Sequence, residues 1–112
     1  MTLETSETAK RAYDMLLQVP KGRVTTYGAL AKAIGKPKAA RLVGAIMRGN
    51  PHAPRVPCHR VVKSDGTLGG YSGSDPANIK RKVQMLHEEG VEVDGDRVVD
   101  FERVFFDDFK RK

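Results

Sequence analysis

Residues 38–49, Lys38-Ala39-Ala40-Arg41-Leu42-Val43-Gly44-Ala45-Ile46-Met47-Arg48-Gly49, decide how this chain is read. Ala39, Leu42, Val43, Ile46 and Met47 recur at i, i+3, i+4, i+7 and i+8, which predicts a helix with one apolar stripe. Lys38, Arg41 and Arg48 fall off that stripe, so its outer face is cationic, and Gly49 supplies the stop. Just upstream, Thr26 is a natural N-cap for a shorter helix that turns Leu30, Ala31 and Ile34 inward and ends at Gly35, a residue suited to a left-handed terminus. Only the tight Lys36-Pro37-Lys38 connection separates the two. Paired short helices across such a turn, with cations on the second, form the pattern of a helix-turn-helix. Further upstream a first helix is predicted, capped by Ser6, with Ala9, Tyr13, Leu16 and Leu17 on one face and Pro20 and Gly22 closing it.

Downstream, Asn50 to Pro57 holds prolines at 51, 54 and 57 and is excluded from helix, so it delivers an extended segment to Cys58. Cys58 to Val62 reads as a strand-like run. Lys63-Ser64-Asp65-Gly66-Thr67 supplies an Asp-Gly turn for a small hairpin, and Gly69 to Ser74 is a loop rich in backbone donors. Asp75 caps a further helix with Pro76 in its first turn, Ile79, Val83 and Leu86 as its buried stripe, and Gly90 at its end. Val91 and Val93 lead into a second turn at Asp94-Gly95, followed by Val98 and Val99. Phe101, Val104, Phe105 and Phe109 predict a short amphipathic segment docked on the core. The expected fold is mainly α with a small β hairpin, a helix-turn-helix of winged-helix-like kind, in one domain over residues 1–112.

Composition narrows the function. At 112 residues, 39% hydrophobic and 30% charged, the chain supports one modest core. No run approaches the ~20 apolar residues of a bilayer helix, and Met1 to Glu7 lacks the basic-then-apolar order of a secretory signal, so no membrane partner and a cytoplasmic location with the DNA are expected. The single cysteine excludes an internal disulfide, and one Cys with three scattered His gives no zinc-finger spacing, so no metal is expected. Residues 1–82 carry 15 Lys+Arg against 5 Asp+Glu and residues 83–112 carry 5 against 9, which together make the net +6. Cations gathered in the first three quarters are the electrostatic footprint of a nucleic-acid binder, although composition alone fits solubilising surface charge equally well.

Cys58 is the candidate nucleophile. A lone cysteine ordinarily packs as a small buried hydrophobe, and a free thiol with a pKa of about 8.5 reacts only as thiolate, so it needs cations or a base. His59 and Arg60 follow directly. Neighbours in an extended chain point to opposite sides, so His59 would reach the thiol only through a local bend or a bridging water. An acceptor for its second ring nitrogen comes most readily from Glu88 or Glu89 at the end of the last long helix.

The run Arg48-Gly49-Asn50-Pro51, then Val56-Pro57-Cys58-His59-Arg60-Val61-Val62, then Gly70-Tyr71-Ser72-Gly73 closely resembles the DNA-binding and active-site domain of the O6-alkylguanine-DNA alkyltransferases, the methylated-DNA-protein-cysteine methyltransferases. The Pro-Cys-His-Arg-Val string in that order is highly specific, and the resemblance spans about residues 8–90, with 91–112 as a C-terminal extension. It implies direct, irreversible repair in which the thiolate takes the alkyl group from O6 of guanine and the protein is consumed, without a cofactor. It further implies that Cys58 is the acceptor, His59 its water-linked base and Glu89 the group that holds the histidine. Asn50 matches the hinge between recognition helix and active-site loop. Arg41 matches the arginine that fills the gap of an extruded nucleotide, and Tyr27 the tyrosine that crowds the target phosphate and donates to the purine. Lys38, Arg48 and Arg60 complete the expected DNA-binding set. Tyr71, Ser72 and Gly73, with Val61 and Met47, are the expected lining of the pocket for the everted base.

The implied partner is double-stranded DNA containing O6-alkylguanine, entered through the minor groove by a monomer. The chemistry agrees: O6 of a paired guanine lies within the stack, so reaction there requires base flipping, and a planar guanidinium suits the vacated space. Two-domain members carry an N-terminal domain before this region, and a first helix starting within the opening residues leads to the expectation that it is missing here. The closing Gly90-Val91-Glu92-Val93 and Arg97 to Phe101 also resemble the single-domain alkyltransferase-like proteins, which bind alkylated DNA without repairing it and commonly carry tryptophan at the acceptor position. Cys58 favours transfer over sensing. A sequence-specific helix-turn-helix regulator is the third reading.

Overall fold

Thr26 opens the helical hairpin that organises the fold. In the computed structural model, which describes residues 7–49, 55–69 and 76–110, its Oγ1 accepts a hydrogen bond from the Ala29 N–H at 3.0 Å and caps α2 (Tyr27–Ala33). Leu30, Ala31 and Ile34 are buried as their spacing predicts. Gly35 takes φ +80°, which lets the Lys36 N–H reach back to the Ala31 carbonyl and the Gly35 N–H to that of Lys32. The chain then turns into α3 (Ala40–Arg48), which buries Val43, Ile46 and Met47. α1 (Glu7–Leu16) packs on both, and its Tyr13 hydroxyl donates to the Ile46 carbonyl at 3.2 Å.

Two apolar residues of the predicted stripes face out instead. Leu42 is 36% exposed because α1 and α2 cover only the arc of Val43, Ile46 and Met47. Leu17 is 53% exposed, since the buried arc of α1 runs through Ala12, Met15 and Leu16 and puts Leu17 past its edge. The expected cap Ser6 lies outside the described residues.

The β structure differs from expectation in two places. Cys58 to Arg60 is a turn of 3₁₀ helix rather than strand, and only Val61–Val62 (β2) is extended. β2 pairs in parallel with Thr25–Thr26 (β1), Thr25 opposite Val61 and Thr26 opposite Val62. The Asp-Gly turn forms, with Lys63 N–H donating to the Thr67 carbonyl at 2.8 Å. The chain leaving it joins Arg97 and Asp96 instead of returning along β2. The small antiparallel hairpin is therefore Val93–Asp94 (β3) with Arg97–Val98 (β4), as the second Asp-Gly turn predicts.

α4 (Pro76–Glu88) buries Leu86 and half-buries Ile79 and Val83. Its predicted cap Asp75 lies outside the described residues. The short α5 (Phe101–Val104) docks beside it, and Val24 exchanges backbone hydrogen bonds with Val104 and Phe106. Two apolar clusters result. One holds the α1, α2 and α3 side chains with Val56, Cys58 and Val61. The other holds Val24, Val62, Leu68, Leu86, Val91, Val98 and Val104. Val61 and Val62 point to different clusters because successive strand residues face opposite sides, so β2 divides the two and Cys58 sits at the boundary.

Candidate active site

The 3₁₀ turn removes the objection that strand geometry raised. Its residues step about 120° around the axis, so Cys58 and His59 are not driven to opposite sides. Val56 and Pro57 hold the turn, their carbonyls accepting from Cys58 N–H at 2.8 Å and Arg60 N–H at 2.9 Å. Cys58 is only 4% exposed and packs in the first cluster. Its surroundings are nonetheless polar, because a negative charge on the sulfur is felt by both Tyr27 and Lys82.

His59 is buried beside it, and its Nε2 lies 3.0 Å from Oε2 of Glu89. A carboxylate there fixes the proton on Nε2 and leaves Nδ1 as the bare acceptor. That Nδ1 is buried and has no hydrogen-bond partner among the described residues. Burial pushes the imidazole pKa below its ordinary value. The Glu89 hydrogen bond and charge oppose that shift, and Arg60 and Lys82 reinforce it. His59 is thus a neutral ring with an unoccupied basic nitrogen.

Glu89 owes its place to the end of α4. Gly90, at φ +90°, allows the Val91 N–H to reach the Leu86 carbonyl at 2.9 Å and its own N–H to reach that of His87 at 3.0 Å. This Schellman closure, sealed by the buried Leu86 and Val91 side chains, holds Glu89 at the C-cap facing the 3₁₀ turn. Burial raises its carboxyl pKa, but the hydrogen bonds from Arg60 and His59 outweigh that and hold it below the usual range.

Tyr27 starts α2, and its ring lies between α3 and the loop after β2. A Cβ added at Gly69 would stand 3.4 Å from Tyr27 Cε2 and 3.5 Å from its hydroxyl, so a side chain at 69 would crowd the phenol. Burial, then the nearby Cys58 charge, push that phenol up to about 12 against the pull of Arg48. It stays a protonated donor at neutral pH.

Lys38, Arg41 and Arg48 are all exposed on or beside α3, as their pattern predicts. Met47 and Val61 are buried in the same apolar cluster as Cys58. Asn50, Tyr71, Ser72 and Gly73 lie outside the described residues.

Arg60 differs from its expected role as a DNA cation. Its Nε and one terminal nitrogen donate to the two oxygens of Glu89 at 2.9 and 2.8 Å, and the other terminal nitrogen donates to the Val19 carbonyl at 2.8 Å. With its side chain only 15% exposed, it is committed inward.

Lys82 was not singled out by the sequence reading. It is fully buried, and its Nζ donates to the carbonyls of Val61 and Leu68, both at 2.7 Å. Burial lowers its pKa to about 8 despite the opposing Cys58 charge. The signal was available: Lys82 falls within the Ile79, Val83, Leu86 stripe, where a cation needs a reason.

The DNA-binding domain profile of the 6-O-methylguanine DNA methyltransferase family matches residues 7–91. The bifunctional methyltransferase/endonuclease of Picrophilus torridus is 42% identical over 97 residues, 87% of this chain and 31% of that protein, so the chain spans less than a third of that relative. The DNA base-flipping protein of Escherichia coli K12 is 39% identical over 94 residues, 84% of this chain and 70% of that one. The crystal structure of S. pombe Atl1 in complex with damaged DNA containing O6-carboxymethylguanine matches with a TM-score of 0.80 at 33% identity, covering 89% of this chain and 94% of the other.

Proposed function

The chain belongs to the 6-O-methylguanine DNA methyltransferase family, and from that membership we propose that it reverses alkyl damage in DNA directly, Cys58 taking the alkyl group from O6 of an everted guanine. The observation that carries this reading is a thiol sharing one helical turn with a neutral imidazole whose Nε2 is held by Glu89 and whose Nδ1 is free. Nδ1 accepts the thiol proton, directly or through a water. The thiolate attacks the alkyl carbon, the S–C bond forms as the C–O6 bond breaks, and the electron pair passes to guanine. Tyr27, kept protonated, donates to the purine and makes it a better leaving group. The proton lost by the thiol ends on guanine, and the thioether is permanent, so each molecule acts once.

The exposed cations of α3 carry the DNA-binding part of the proposal. Lys38 and Arg48 neutralise phosphates, and Arg41 refills the stack in the minor groove. The same proposal assigns the hinge to Asn50 and the base pocket to Tyr71, Ser72 and Gly73 together with Met47 and Val61. Incubation with a duplex containing O6-methylguanine should add one methyl group to the intact mass, and Cys58→Ala should add none. An unchanged wild-type mass would end this reading.

One observation favours a second reading, a damage sensor that binds without transfer: the match to S. pombe Atl1 covers nearly the whole of both chains. It calls for tight retention of the same duplex with no covalent product. The presence of a cysteine at position 58, beside its base, weighs for transfer.

A further inference from the structure

Arg60 is charged, nearly buried, and used by none of the steps above. Its guanidinium fork takes both oxygens of Glu89, and its remaining nitrogen takes the Val19 carbonyl at the end of α1. One residue thereby ties together the 3₁₀ turn that bears the thiol, the C-cap of α4, and the loop from α1 to β1. That loop is pressed close: a Cβ at Gly22 would stand 3.3 Å from the Glu89 carbonyl.

Glu89 needs such a partner. A carboxylate at the C-terminus of a helix faces the negative end of the helix dipole and, without compensation, is driven toward solvent. His59 offers it a single hydrogen bond. The Arg60 fork offers two charge-assisted bonds of fixed geometry, which hold the carboxylate plane as well as its position. The Oε2 atom that meets His59 Nε2 at 3.0 Å is also the one that Arg60 meets at 2.8 Å. The same oxygen is therefore shared between a permanent cation and the imidazole.

We propose that Arg60 is the positioning residue of this site: it holds the Glu89 carboxylate on Nε2 of His59, and its charge on that carboxylate keeps the imidazole neutral with Nδ1 free. Without the fork, Glu89 gives the ring its undivided charge, which favours the imidazolium, and the carboxylate plane is no longer held, which loosens the orientation of Nδ1. The charged groups that face His59 are Glu89 and Lys82 from α4 and Arg60 from its own turn, with Cys58 as chain neighbour. Arg60 is the member whose hydrogen bonds go to the shared carboxylate and to the Val19 carbonyl.

The role in transfer rests on the alkyl-transfer reading, and the test separates the two. In the full-length chain, Arg60→Gln removes charge and fork together, whereas Arg60→Lys keeps charge and loses the fork. Three quantities are read: the His59 ring titration by NMR, the single-turnover uptake of methyl from an O6-methylguanine duplex, and retention of that duplex. Arg60→Gln is expected to move the His59 titration upward and to slow transfer on the order of tenfold or more through lost orientation, with retention unchanged. Arg60→Lys should return the titration to its wild-type position and restore the rate only in part. If Arg60→Gln does not fold, Arg60→Lys alone decides: a wild-type rate in it overturns the positioning role. A His59 titration unmoved in Arg60→Gln also overturns the proposal. So does a loss of duplex retention that parallels the loss of transfer, since that would make Arg60 a DNA contact. A wild-type chain that takes up no methyl overturns the alkyl-transfer reading instead, and the His59 titration then still decides what Arg60 does to the ring.

Discussion

Arg41 and Arg60 are the same residue type in two regions that use it in opposite ways. On the outer face of α3, Arg41 stands in solvent with Lys38 and Arg48 beside it. At the corner where the 3₁₀ turn meets α4, Arg60 and Lys82 are enclosed: Arg60 donates to the Glu89 carboxylate and the Val19 carbonyl, and Lys82 to the carbonyls of Val61 and Leu68. Exposed cations act at a distance and are screened by salt, whereas enclosed ones fix geometry and are costly to leave unpaired. The comparison teaches that the basic character of the chain divides into an exposed set, open to a polyanion, and an enclosed set that assembles the corner around Glu89.

Glu89→Gln should have the largest effect on folding. It leaves the Arg60 charge buried without its partner, and breaking such a pair costs about 3–5 kcal/mol. Urea unfolding measures this, and a loss no larger than that of an exposed substitution would show that the corner is not enclosed in solution.

Lys82→Met should come next. It strips the Val61 and Leu68 carbonyls of their donor at about 1–3 kcal/mol for each one left unpaired. The pH dependence sharpens the point. The folded chain releases the Lys82 proton near 8 and the unfolded chain near 10.5, so between those values the unfolded state binds more protons and stability rises with pH. Thermal melting across that range should show wild type gaining on Lys82→Met as pH increases; a constant difference would mean that Lys82 is not desolvated.

Arg41→Ala and Lys38→Ala should be nearly silent in folding, within about 0.5 kcal/mol. Their effect belongs to DNA. Each phosphate contact removed should lower the salt slope of duplex binding by about one. Arg41→Ala should in addition slow repair of duplex far more than reaction with a free base analogue, and equal losses on both substrates would remove Arg41 from a flipping role.

The same division explains what could be read before any coordinates. The helices around Tyr13, Leu30 and Ile46, the Thr26 cap, and the glycine ends at 35 and 90 follow from interactions within a few residues, so periodicity and cap chemistry suffice to find them. Leu17 and Leu42 were misjudged because the width of the buried arc depends on what packs against it. The parallel pairing of Thr25–Thr26 with Val61–Val62 joins segments far apart in sequence, and no local pattern announces it. At the site, the Cys-His string and the glutamate before Gly90 were legible through family likeness. The inward turn of Arg60 was not, because a cation next to a DNA-binding motif reads the same whether it faces phosphate or Glu89. Lys82 was legible in principle, as a charge inside an apolar stripe.

The closure at Gly90 carries a practical corollary. The amide hydrogen of Val91 is exchangeable, and it is locked to the Leu86 carbonyl by the same closure that sets the backbone of Glu89. Its rate of exchange with deuterium therefore serves as a gauge of how often Glu89 stands against His59, readable on the free protein.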